Sequence, residues 1–121
     1  NIRYPVTIDD ETVYNGMMSY LDKYDLGVVK LNHQPPIYIP SDDPLITTLM
    51  EVYRRHTGDK ESKAMIIGGG TYARSMENAV AFGMTFPGEP ELAHQKNEYI
   101  LIENLITATK IFADSIHELT K

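Results

Sequence analysis

Cysteine and tryptophan are both absent from this chain of 121 residues. Without cysteine the chain has no disulfide, no thiol nucleophile and no thiolate metal site. No apolar run approaches the ~18 residues of a transmembrane helix, and no signal-peptide pattern is present. The absence of cysteine is compatible with a reducing compartment but fits an oxidising one as well. We expect a cytoplasmic protein that has no membrane partner.

Clustered positive charge is absent as well. The chain has 11 Lys and Arg residues against 17 Asp and Glu residues, for a formal net charge of −6. Nucleic-acid binding needs clustered Lys and Arg that neutralise phosphates, so we expect no nucleic-acid partner. The composition, with 42% hydrophobic and 23% charged residues, is typical of a globular protein.

The first third of the chain predicts a β-α-β unit. Residues 1–6 and 28–33 are the two predicted strands, and the second is rich in β-branched residues. Between them, acidic residues at 9–11 suit a helix N-terminus, and Gly27 marks the predicted end of the helix. A strand that starts at residue 1, with no initiating Met, also predicts that the chain is a fragment of a longer protein.

The remainder predicts an α-β-β-α arrangement. Residues 34–41 are rich in proline and are predicted to link two substructures. A capping acid followed by Pro44 predicts a helix that ends near Gly58. Strands are then predicted at 63–67 and 79–83, a long loop at 84–97, and a closing helix from Glu98 to about Leu119. The whole pattern predicts the α/β class with two substructures.

His94 is the strongest candidate for a metal ligand among the four histidines. It lies in the Gly- and Pro-rich loop before the last helix, and loops on a rigid scaffold often carry functional residues. Neutral imidazole is the commonest zinc ligand, although an incidental loop histidine is an open alternative. The other three, His33, His56 and His117, are interpreted as packing or surface residues.

Two further features could bind an anion. The segment Gly68-Gly69-Gly70-Thr71, which we call the glycine turn, could point backbone N–H groups at a negative charge. It could instead be a tight turn that requires positive φ. Arg3 lies in an otherwise apolar segment, where it either faces solvent or makes a bidentate contact with a carboxylate.

Taken in order, several motifs resemble those of one enzyme family. They are Asn1-Ile2-Arg3-Tyr4-Pro5, Pro36-x-Tyr38-x-Pro40-Ser41-Asp42-Asp43-Pro44-Leu45, Gly68-Gly69-Gly70-Thr71-Tyr72-Ala73-Arg74, Phe82-Gly83, Phe86-Pro87-Gly88 and Ala93-His94-Gln95-x-x-Glu98-Tyr99. This series is similar to the C-terminal quarter of the PepV-type dipeptidases. These belong to the di-zinc superfamily that also holds aminoacylase, carnosinase, ArgE, DapE and glutamate carboxypeptidase. The resemblance covers essentially the whole chain.

The resemblance implies a catalytic α/β domain interrupted by a ferredoxin-like lid. Residues 1–33 would be the second half of the lid, residues 34–41 a crossing linker, and residues 42–121 the C-terminal part of the catalytic domain. It also implies two zinc ions per full-length chain, neither stably held by these 121 residues alone. The general base and the other metal ligands would lie upstream, so we expect the isolated fragment to be inactive.

The resemblance also assigns individual residues. His94 would bind the second zinc ion, and Arg3 would hold the terminal carboxylate of a dipeptide substrate. Gly69, Gly70 and Thr71 would lie along the same end of the substrate. The expected partners are that dipeptide and the remainder of the chain itself.

Two alternatives stay open. The parent protein could be a related deacylase that acts on acyl-amino acids, although the Gly-Gly-Gly-Thr-Tyr-Ala-Arg run favours the dipeptidase branch. The chain could instead be a non-catalytic binding or dimerisation module that forms a homodimer through an exposed sheet edge.

Overall fold

A computed structural model of the chain describes residues 2–121, in which three α-helices are the main elements. These are α1 (Asp10–Leu21), α2 (Pro44–Thr57) and α3 (Ile102–Leu119). Short 3₁₀ turns lie at Asp22–Tyr24 and Tyr72–Ser75. The chain divides into two compact units, the first ending at Tyr38 and the second comprising Ile39–Lys121.

Helix α1 begins at a side-chain cap, as predicted from the acidic residues. The backbone N–H of Thr12 donates to Asp9 Oδ1 at 2.7 Å, and the Thr12 hydroxyl donates to Asp9 Oδ2 at 2.8 Å. Asp10 and Glu11 in the first turn complement the positive end of the helix dipole. The predicted helix is confirmed, but it ends at Leu21 rather than at the predicted Gly27, and none of its residues is buried.

Helix α2 has the predicted start and end. The N–H of Leu45 donates to the Asp43 side chain at 2.8 Å, and Pro44 occupies the first turn, where a missing N–H costs nothing. At the other end Gly58 has a φ of 71°, and its N–H donates to the carbonyl of Arg54 at 2.9 Å. A left-handed glycine with this bond is a common way to end a helix.

The core of the second unit lies between α2 and α3. Helix α3 starts four residues later than the predicted Glu98 and ends at the predicted Leu119. The buried residues are Ile46, Leu49 and Val52 on α2 and Ala108, Ile111 and Ser115 on α3. The α2 residues are three positions apart and the α3 residues three and four apart, so each set lies on one helix face, which is apolar except for Ser115. Phe82 packs edge-on against Phe112 of α3, with ring centroids 5.7 Å apart.

Polar contacts join the same two helices. His56 Nε2 lies 2.7 Å from Asp114 Oδ2, and Arg55 Nη1 lies 3.3 Å from Glu118 Oε1. The hydrogen bond from His56 is the main cause of a lowered pKa of the Asp114 carboxyl. His56 is therefore a partly buried pairing residue at the helix interface rather than a free surface histidine.

The predicted α/β fold is wrong for residues 2–121. Within residues 2–121 none of the four predicted strands forms and there is no β-sheet; residue 1 of the first predicted strand lies outside the described residues. The first segment instead bends, with the N–H of Ile8 donating to the carbonyl of Pro5 at 3.1 Å. Strands persist only when neighbouring strands pair their backbone groups. The apolar run at 65–67 is exposed, so its β-propensity has neither a backbone partner nor burial to support it.

Two other predictions bear on this fold. The lid and catalytic-domain assignments stay predictions, and so does the homodimer, whose sheet edge does not form within residues 2–121. No helix in that range combines the length and apolar character needed to cross a bilayer.

Candidate functional site

His94 lies in an exposed double turn before α3. The N–H of Gln95 donates to the carbonyl of Leu92 at 2.9 Å, and the N–H of Glu98 donates to the carbonyl of Gln95 at 3.2 Å. His94 itself has a φ of 64°, and Asn97 has a φ of 62°. Left-handed backbone is uncommon outside glycine and often marks functional positions. The turn presents the side chain of His94 at the surface.

Side-chain contacts tie this loop to the last helix. Glu89 accepts a hydrogen bond from the side-chain amide of Asn104 on α3. The same carboxylate accepts from the backbone N–H of Phe86 at 2.7 Å. Closer to the histidine, the N–H of His94 donates to Glu98 Oε2 at 3.3 Å. The packed helix therefore supports the loop that carries His94.

The described residues do not form a complete zinc site. A catalytic zinc ion needs about three protein ligands and an open position for water. Among residues 2–121 no group of three His, Asp or Glu side chains is placed to hold a metal ion. His94 can therefore serve as one ligand only.

The glycine turn is not a tight turn that requires positive φ at Gly69 or Gly70. Neither Gly69 nor Gly70 has positive φ, so backbone conformation does not explain these glycines. A Cβ at Gly70 would lie 3.5 Å from Arg74 Nε, which is ordinary van der Waals contact. Thr71 begins the following 3₁₀ turn, since its hydroxyl accepts from the N–H of Ala73 at 3.3 Å.

Arg3 lies in the first unit and is exposed. His94 and residues 69–71 lie in the second unit. The structure thus places the glycine turn and the candidate metal ligand in one unit and the candidate carboxylate-binding residue in the other. Their assigned roles stay predictions.

A polar cluster beside Arg3 is the feature that the sequence patterns missed. Tyr4 Oη lies 2.6 Å from His33 Nε2, and the two rings are nearly parallel with centroids 6.3 Å apart. Lys30 Nζ lies 2.6 Å from Asp10 Oδ2, and His33 Nδ1 lies 3.6 Å from the same oxygen. The hydrogen bond between Lys30 and Asp10 is the main cause of a lowered pKa of Asp10 and a raised pKa of Lys30.

Residues 3–118 match the family described as Peptidase family M20/M25/M40. The whole chain is 44% identical to a putative dipeptidase, YtjP, of Bacillus subtilis and 39% identical to the Beta-Ala-Xaa dipeptidase of Lactobacillus delbrueckii subsp. lactis. A putative dipeptidase of Staphylococcus saprophyticus is 37% identical over 98% of the chain. The chain spans about a quarter (25%) of the length of each of these relatives.

Proposed function

Because the chain belongs to peptidase family M20/M25/M40, we propose that it is part of a zinc-dependent dipeptidase acting on short peptides with a free C-terminus. The observation that carries this proposal is the alignment of essentially the whole chain with relatives named as dipeptidases, at 37% to 44% identity. Since the chain spans 25% of their length, the activity belongs to the longer protein.

In this proposal His94 supplies one metal ligand. Its support is geometric: the bond from the backbone N–H of His94 to Glu98 and the left-handed backbone hold residue 94 in a turn of a loop anchored to α3, and the side chain is exposed. The remaining ligands come from elsewhere in the longer protein, because residues 2–121 offer no cluster of three. For the same reason the isolated chain hydrolyses no dipeptide at a measurable rate.

Arg3 and the glycine turn supply substrate selection. An exposed guanidinium can bind a carboxylate with two parallel hydrogen bonds, a geometry that lysine cannot reproduce. Binding of the terminal carboxylate would hold the scissile bond of a short peptide in a fixed position. Residues 69–71 would lie along the same carboxylate end.

The test measures metal content and hydrolysis in the full-length protein that contains these residues. We expect His94→Ala to lower the affinity for one of two zinc ions by at least about 10- to 100-fold and to reduce dipeptide hydrolysis accordingly. His117→Ala is the matched control, because His117 is an exposed histidine on α3. Two zinc ions and normal turnover in His94→Ala would show that His94 is not a ligand.

The substrate panel separates the two enzyme classes. Dipeptides, their C-terminal amides and N-acyl amino acids are compared at equal concentration with the full-length protein. A dipeptidase hydrolyses the free dipeptides fastest. Faster hydrolysis of N-acyl amino acids would identify a deacylase instead. The isolated 121 residues serve as the negative control in the same assay.

A further inference from the structure

The described part of the first unit, residues 2–38, is held together without a buried core. None of residues 2–38 is buried, so apolar packing cannot fix the backbone on either side of Arg3. Tyr4, His33, Asp10 and Lys30 provide polar contacts in its place. These four residues, which we call the Tyr4 cluster, join three separate parts of the unit: the segment after Arg3, the start of α1 and residues 30–33.

One hydrogen bond of the Tyr4 cluster holds the segment that follows Arg3. Tyr4 Oη and His33 Nε2 lie 2.6 Å apart, and either group can donate in this bond, depending on the tautomer of the ring. Nδ1 of His33 lies 3.6 Å from Asp10 Oδ2, which is too long for a hydrogen bond, so Asp10 does not determine that tautomer. The two rings are parallel, and their centroid distance of 6.3 Å places them end to end across this hydrogen bond rather than face to face. The hydrogen bond to His33 is therefore the contact that defines where Tyr4 lies.

Residue 4 is joined to Arg3 by a single peptide unit, so fixing Tyr4 restricts the position of the Arg3 backbone. A long arginine side chain loses conformational freedom when it binds a carboxylate, and a fixed backbone reduces that cost. Loss of the Tyr4–His33 hydrogen bond would let the segment move without disturbing a hydrophobic core, since residues 2–38 contain none.

We propose that Tyr4 and His33 are positioning residues that hold Arg3 in place to bind the terminal carboxylate of the substrate. This inference rests on the proposed function, because it requires that Arg3 contacts the substrate. Tyr4 and His33 act only through Arg3 and do not touch the reacting atoms. Their effect is therefore confined to substrates with a free carboxylate.

The experiment uses the full-length protein with a dipeptide and its C-terminal amide. Tyr4→Phe keeps the ring and removes the hydroxyl that is hydrogen-bonded to His33 Nε2. We expect KM for the free dipeptide to rise about three- to tenfold, the size of one lost neutral hydrogen bond, with kcat within about twofold. KM for the amide stays unchanged. Tyr20→Phe is the matched control, because its ring contacts Tyr24 and Lys23 rather than the Tyr4 cluster.

Two additional variants make the result decisive. His33→Phe keeps an aromatic ring and removes the nitrogen that is hydrogen-bonded to Tyr4 Oη, so we expect it to reproduce Tyr4→Phe. In an Arg3→Ala background, Tyr4→Phe should have no further effect on either substrate, because the residue that it positions is absent. Thermal unfolding shows whether each variant still folds. If Tyr4→Phe does not fold, His33→Phe is used for the KM comparison instead.

The outcomes distinguish this inference from the proposed function. An equal change in KM for dipeptide and amide in Tyr4→Phe, or no change for either, would overturn the positioning role. If Arg3→Ala affects both substrates equally, the assignment of Arg3 fails, and the positioning role fails with it. If Arg3→Ala is selective for the free dipeptide and Tyr4→Phe is not, only the positioning role is wrong.

Discussion

Val52 on α2 should carry a large share of the contact between α2 and α3. Its side chain is 0% exposed. Val52→Ala removes two methyl groups, which at roughly 0.8 kcal/mol per buried carbon costs about 1.6 kcal/mol of transfer free energy. The residual cavity adds about 0.5–1 kcal/mol. The better helix propensity of alanine offsets about 0.5 kcal/mol. We therefore expect the free energy of unfolding to fall by about 1.5–2 kcal/mol.

The measurement is urea unfolding followed by far-ultraviolet circular dichroism, with the m-value compared between variants. Val29→Ala is the matched control, because the same atoms are removed where the side chain is 81% exposed. Its free energy of unfolding should change by less than about 0.5 kcal/mol. Equal losses in the two variants would show that the α2–α3 interface is no better packed than the exposed surface.

Two other predictions concern the local structure of the helices. Gly58→Ala should lower the free energy of unfolding by about 1 kcal/mol, since a φ of 71° is unfavourable for alanine. Gly16→Ala should raise the free energy of unfolding by about 0.5–1 kcal/mol, because glycine within a helix is less favourable than alanine. Unfolding experiments that gave both changes the same sign would contradict this. The pKa of Asp59 is lowered by hydrogen bonds, first from the Ser62 hydroxyl and then from the Ser62 N–H and the Tyr53 hydroxyl. Such a carboxyl stabilises the fold above its unfolded pKa of about 4, and this contribution is lost as pH falls through the lower folded pKa. The melting temperature should therefore fall on acidification below about pH 4, and fall less in Asp59→Asn; identical profiles would exclude the effect.

The helices were predictable because their signals are local. Asp9 and Asp43 each cap a helix with a bond to a backbone N–H two or three residues away. Gly58 ends α2 by adopting a conformation that glycine favours. The start of α3 was misplaced because Leu101 provides no side-chain cap, so no local residue type marks that boundary.

The strands could not be predicted correctly because their formation depends on distant partners. The apolar residues at 65–67 have the composition of a buried strand, but Met65 is 81% and Ile66 92% exposed. A helix satisfies its backbone within itself, whereas a strand requires hydrogen bonds from another segment. Local composition at 65–67 therefore predicted a state that the described residues do not support.

The same distinction separates the two parts of the candidate site. His94 was singled out from its loop and its motif, both of which lie within a few residues, although nothing in the sequence indicated its left-handed backbone. The Tyr4–His33 bond joins residues 29 positions apart, so no spacing rule pointed to it. Because none of residues 2–38 is buried, such long-range polar contacts determine the local geometry of this segment more than apolar periodicity does. Candidate residues for binding a metal or a carboxylate can thus be proposed from local motifs, whereas a contact such as Tyr4–His33 emerges only from the structure.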